Sequence, residues 1–89
     1  MLNEKTQARA LRRLRIIRGQ IDGLERMISE GTYCVEVLTQ LAAVQQALRG
    51  VGQVLVRNHL ETCVTQDMRR GRGDRHYDEL MDIMYKLTK

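Results

Sequence analysis

Three side chains in this sequence have the chemistry of soft-metal ligands: the thiols of Cys34 and Cys63 and the imidazole of His59. His59 and Cys63 stand four residues apart, one turn of a helix, while Cys34 lies 25 residues upstream of His59. At about 100° per residue, the step from Cys34 to His59 returns to within roughly 20° of its start, and Cys63 misses by roughly 20° the other way. If one helix carries all three, they share a face. Along its axis, however, Cys34 and His59 are separated by roughly 37 Å, far beyond any shared coordination sphere. A second copy of the helix running antiparallel, crossing near Leu48, brings Cys34 of one chain beside His59 and Cys63 of the other and makes two equivalent sites. Two thiolates and one neutral imidazole suit trigonal Cu(I), whereas Zn(II), Co(II) or Ni(II) would want a fourth ligand, for which only His76 and scattered carboxylates remain. Against this stands the ordinary behaviour of lone cysteines and histidines on apolar faces, which pack as core or interface residues. Met27, Met81 and Met84 fall at helical spacing and read as core filler.

Those ligands need long helices, and the hydropathy pattern supplies them. Leu11, Leu14, Ile17, Ile21, Leu24, Met27 and Ile28 recur at three- and four-residue steps, predicting a first helix from about Glu4 to Glu30 that Gly31 stops. Gly19 and Gly23 within it imply close approach of a neighbouring helix or a local kink. Thr32 is placed to cap a second helix from near Tyr33 to about Asp67, with Glu36 as the capping-box acid. That helix is apolar on two sides. Cys34, Leu38, Leu41, Leu48, Leu55 and His59 form one stripe, and Val37, Val44, Ala47, Val51 and Val54 widen it beyond what a single hairpin can cover. Gly50 and Gly52 fall where an antiparallel partner would cross. A turn over Arg69–Asp74 leads to a short third helix, capped by Asp74, with Tyr77, Leu80, Met81, Met84 and Tyr85 on its buried face.

The predicted class is all-α, a single three-helix domain over residues 1–89. With 89 residues, no proline, tryptophan or phenylalanine and only three tyrosines, its own core is thin. Two cysteines at metal-ligand spacing, with no leader sequence, argue for a reducing cytoplasm rather than disulfides, and no apolar run reaches the roughly 18 residues of a membrane span. Oligomerisation is the remaining source of stability.

Charge is concentrated at the start. Residues 1–18 carry six basic side chains against Glu4, a net of +5, so residues 19–89 carry nine basic against ten acidic, −1. Arg12, Arg15 and Arg18 project near one another from a helix, a patch that an oligomer would repeat across a surface suited to phosphate backbones, though many short basic stretches are simply solvated. Without Phe or Trp there is no stacking platform for single strands, so duplex DNA is the better match.

The runs Arg12-Arg13-Leu14-Arg15-Ile16-Ile17-Arg18-Gly19-Gln20-Ile21-Asp22-Gly23-Leu24, Tyr33-Cys34-Val35-Glu36-Val37-Leu38 and Asn58-His59-Leu60-Glu61-Thr62-Cys63 resemble the copper-sensitive operon repressor family of metal-responsive regulators, over nearly the whole chain. The resemblance implies an antiparallel dimer assembling into a dimer of dimers. It would bind double-stranded operator DNA without a helix-turn-helix and release it when an inducer sits between protomers. It also implies Cys34, His59 and Cys63 as Cu(I) ligands, Tyr33 and Glu79 as residues that orient them, and a mid-helix basic contact met here by Arg49 beside Gly50. DNA contacts would then come from Arg12, Arg13, Arg15 and Arg18, with Arg49 added. Nickel and cobalt sensors resembling this family recruit N-terminal histidines, and formaldehyde sensors an N-terminal proline; neither is present. Persulfide sensors keep both cysteines but lack the histidine. Two other readings stay open: a sulfur or electrophile sensor joining Cys34 to Cys63 of facing chains, and a copper buffer that binds no operator. No nucleophile is paired with a base, so an enzyme is not expected.

Overall fold

The computed structural model describes residues 2–71 and 73–88, with the side chains of residues 63, 64, 67, 73–76 and 88 excepted. Every element within them is helical. Helix α1 runs Glu4–Ser29 and α2 runs Cys34–His59; a π-helical turn, Leu60–Val64, and a short helix α3, Thr65–Arg69, continue the second rod, and α4 spans Gly73–Thr88. Three rods at the predicted places make the all-α architecture.

Local chemistry sets the ends of α1. The Asn3 carboxamide accepts the Thr6 N–H at 2.8 Å, and at the far end Gly31, with φ +70°, lets Thr32 N–H reach Met27 C=O at 2.9 Å and Gly31 N–H reach Ile28 C=O at 3.2 Å. Gly31→Ala is therefore expected to cost about 1–2 kcal/mol, the penalty of a side chain in left-handed backbone. Urea unfolding at fixed protein concentration measures it, and an unchanged midpoint would contradict this role.

Helix α2 starts differently from expectation. Thr32 donates its N–H to finish α1, and the first α2 bonds, from Glu36 and Val37, go to the Tyr33 carbonyl, which makes Tyr33 the N-cap, with φ −53°, ψ 133° and no side-chain bond to the helix. The expected Thr32 cap and capping box are not formed. The second rod runs past its expected end at Asp67 to Arg69, and α4 begins at Gly73, so Asp74, expected to cap it, is already its second residue; the side chains of both aspartates lie outside the described residues.

Helix α2 faces two ways. Its Val44 and Val51 are buried against Ile17 of α1, with Ala47 and Leu55 packed on them. On the other stripe Leu38, Leu41 and Leu48 are exposed, Leu38 by 61%. The molecule measures 56 × 27 × 13 Å, with a radius of gyration of 17.1 Å. A compact chain of this length would have about 12 Å, and 13 Å is little more than one helix diameter. The protomer is a slab one helix thick, so most apolar faces remain uncovered.

Two expectations change accordingly. Of the α4 face expected to be buried, Leu80 is half-buried, but Tyr77, Met81, Met84 and Tyr85 are exposed, Met81 by 67%. A single short helix lying along a two-helix slab has too little surface opposite it to cover that face. The glycines also serve other ends: a Cβ on Gly50 would meet Arg13 of α1 at 3.0 Å, and one on Gly52 would meet Leu87 of α4 at 3.6 Å. Around Gly19 and Gly23 there is open space within the protomer, and α1 runs through both unbroken. No described helix is long and apolar enough to cross a membrane.

Candidate metal centre and nucleic-acid interface

Helix α2 begins at Cys34 and ends at His59, so its 26 residues hold these two side chains apart by roughly 37 Å. Cys34 is an exposed thiol and His59 is half-buried. Among the described residues no three His, Cys, Asp or Glu side chains come together in a way that could hold a metal. One protomer thus keeps these two candidate ligands at opposite ends of α2. The side chains of Cys63 and His76 lie outside the described residues; the backbone of Cys63 belongs to the π turn.

That turn was not foreseen. A π turn closes its hydrogen bond one residue later than an α turn, so residues four apart in it do not keep the 100° register assumed from the sequence. Two threonine hydroxyls bond carbonyls before and within it: Thr62 donates to Asn58 C=O at the end of α2 and Thr65 to Leu60 C=O in the turn, each at 2.8 Å. Such turns occur mostly as single insertions in α-helices, frequently at functional sites.

Asn58, immediately before His59, is a further residue the sequence reading missed. It is 3% exposed, and its side-chain oxygen accepts the Asn3 N–H at 3.4 Å, tying the start of the basic helix to the end of α2. The available signal was its spacing, seven residues beyond Val51 and fourteen beyond Val44, on the stripe that packs against α1. One position earlier, Arg57 donates from Nε to Glu61 Oε1 at 2.7 Å. The hydrogen bond first, and the carboxylate's charge second, raise the Arg57 pKa, so this guanidinium stays charged.

Tyr33 caps α2 beside Cys34 and is 70% exposed. Glu79 is exposed on α4 between Tyr77, whose hydroxyl reaches Met68 Sδ at 3.6 Å, and Leu87, which packs at Gly52. It therefore lies along the distal half of the second rod, away from Tyr33. The structure of one chain does not bring these two residues together.

The basic residues divide. Arg12, Arg15 and Arg18 are exposed on α1, while Arg13 is half-buried, its guanidinium laid across α2 at Gly50. Arg49 is exposed too, but lines the cleft between α2 and α4 beside Met84 and Leu87.

Comparison with known proteins fits this architecture. Residues 6–86 match the family model described as metal-sensitive transcriptional repressor. The copper-sensing transcriptional repressor CsoR of Mycobacterium ulcerans is 46% identical over 83 residues, covering 93% of this chain and 70% of that protein. The protein of the same name from Bacillus subtilis is 34% identical over 87 residues, covering 98% and 86%. The crystal structure of the copper-sensing repressor CsoR with Cu(I) from Geobacillus thermodenitrificans superposes with a TM-score of 0.90 at 34% identity, covering 100% of this chain and 93% of that one.

Proposed function

The chain belongs to the family of metal-sensitive transcriptional repressors, and from that premise we propose that it is a Cu(I)-responsive repressor that holds operator DNA when metal-free and releases it when Cu(I) binds between subunits. Its work is binding; the family is one of repressors, not enzymes.

The observation that carries this reading is the exposed stretch Leu38, Leu41 and Leu48 on one side of α2, with Cys34 at the helix's first residue and the half-buried His59 at its last. An antiparallel second copy covers that stripe and sets Cys34 of each chain against His59 and Cys63 of the other. The donor set, two thiolates and one imidazole, fits Cu(I), and relatives of this chain are named as copper sensors, one of them solved with Cu(I). The exposed Met81 and Tyr85 of α4 give the dimer a further apolar face on which to form a dimer of dimers. Tyr33 and Glu79 orient the ligands from outside the coordination sphere. Arg12, Arg13, Arg15 and Arg18 of each copy meet the phosphate backbone, with Arg49 contributing from α2. A reducing cytoplasm keeps both thiols available.

Linkage makes the effect reciprocal. Copper and DNA weaken each other's binding by the same factor, typically about 5–150-fold. The test is an anaerobic mobility shift with the duplex upstream of the protein's own gene, with and without Cu(I), across a salt series. Tight metal-free binding and release by Cu(I) are expected, and Arg15→Ala should weaken binding while lowering the salt slope by about 0.9 for each phosphate no longer neutralised. Copper binding with no preference for that duplex would mark a copper buffer. Release by persulfide but not by Cu(I), with a Cys34–Cys63 sulfur link in the mass spectrum, would mark a sulfur sensor.

A further inference from the structure

Between α1 and the second rod lies a groove of about 300 Å3, lined by Thr6, Arg9 and Arg13 on one side and by Gln53, Arg57 and Glu61 on the other. Three guanidiniums therefore line one concavity, answered there by one carboxylate. The floor of the groove is Gly50. Because a Cβ there would lie 3.0 Å from Arg13 Nη1, the missing side chain lets Arg13 lie flat against the α2 backbone, and it is half-buried where the other basic residues of α1 are exposed.

Like charges gathered this way favour an anion. Guanidinium forks match phosphate oxygens in pairs, and the Thr6 hydroxyl and Gln53 amide add neutral donors at the rim. The one internal competitor is weakly held: Glu61 takes Arg57 in an i,i+4 pair whose side chains are 82% and 60% exposed, the class of surface ion pair that contributes least. A phosphodiester, with two charged unesterified oxygens to match a guanidinium fork, competes with it for Arg57.

We propose that this groove is a phosphate-binding site in which Arg9, Arg13 and Arg57 take one phosphate group and Glu61 is the carboxylate it displaces from Arg57. The inference rests on the DNA-binding reading for its source, a backbone phosphate of the operator, and it adds Arg9 and Arg57 to that interface; a free phosphorylated ligand is the other source. Glu61 belongs to the same five-residue turn as Cys63, so the carboxylate that phosphate releases sits two residues from a proposed copper ligand.

The test uses the full-length, metal-free protein and two probes, the operator duplex and inorganic phosphate. Arg57→Gln and Arg9→Gln should each lower the salt slope of operator binding by about 0.9 for each phosphate no longer neutralised, while Glu61→Gln tightens binding severalfold. Arg26→Gln, in the last turn of α1 and outside the groove, should leave the slope unchanged. Phosphate titration followed by NMR of the arginine Nε–H signals should show saturable shifts at Arg57 that weaken at least tenfold in Arg9→Gln. Thermal melts of each variant separate a weakened site from a weakened fold. Unchanged DNA slopes with phosphate binding abolished would assign the groove to a free phosphorylated ligand. If the wild-type chain binds no operator, the DNA reading fails and the phosphate arm still decides the groove. Folded variants in which neither probe responds, or an Arg26→Gln effect equal to the others, would overturn the site.

Discussion

His59→Ala is expected to keep the metal-free protein's operator affinity within a few-fold of wild type while abolishing release by Cu(I). His59 ends α2 about 37 Å from Cys34, and none of the basic residues assigned to DNA stands beside it in sequence except Arg57. If His59 is a direct ligand, as proposed, its removal should weaken copper more than the roughly 10–100-fold lost when an outer partner of a ligand is removed. With copper affinity gone, the coupling to DNA has nothing to act through, and the typical range of about 5–150-fold collapses to about one. Cys34→Ala should behave alike, since its thiol is exposed in the protomer. Anaerobic fluorescence anisotropy with a labelled operator, titrated with Cu(I), reads both quantities. A variant that lost operator affinity before any copper was added would make His59 a structural residue instead.

Leu48→Glu should be equally severe although it touches no ligand. Leu48 lies near the middle of the open stripe and is 46% exposed in the single chain. Were the chain to work alone, this would be a surface substitution worth within about 0.5 kcal/mol either way. In an antiparallel pair crossing near this position, the carboxylates introduced on the two copies would be buried close to one another. A buried, unpaired like-charge pair costs far more than a one-helix-thick slab has to spare. Sedimentation should find monomer or unfolded chain in place of the assembly, with Cu(I) binding lost as well. An assembly of wild-type size that still bound copper would refute the placement of the partner.

The fold was legible because its signals are periodic and local. Leu11 through Ile28 mark α1 by their spacing, Gly31 ends it through an available left-handed conformation, and the two-sided apolarity of α2 announces one face for Ile17 and another left open. What escaped depends on competition between neighbours. Thr32 is a good cap residue, yet the N–H groups of Glu36 and Val37 bond the Tyr33 carbonyl, so Tyr33 takes the position while the Thr32 N–H closes α1. The π turn has no hydropathy signature, and only the hydroxyls of Thr62 and Thr65 on carbonyls four and five residues back show how its backbone is served. Asn58 looks polar and exposed in a linear reading, but it falls on the Val44–Val51 stripe and is buried where α1 begins. For the site, spacing alone showed that Cys34 and His59 share a face and cannot meet in one chain; which cleft Arg49 lines, and where Arg13 rests, required the tertiary arrangement.

The most direct test of the shared site is complementation between two crippled chains. Cys34→Ala and His59→Ala protomers, each with a different tag and co-expressed, yield assemblies carrying both tags that are isolated by sequential affinity steps, and native mass spectrometry after dilution to dimers identifies the heterodimer among them. If each site draws Cys34 from one chain and His59 with Cys63 from the other, this heterodimer regains one intact site and binds one Cu(I) per dimer, with sulfur and nitrogen neighbours in the X-ray absorption spectrum, while neither parent homodimer does. A purified heterodimer that binds no copper would mean that the ligands do not come from opposite chains, and the account would be wrong at its centre.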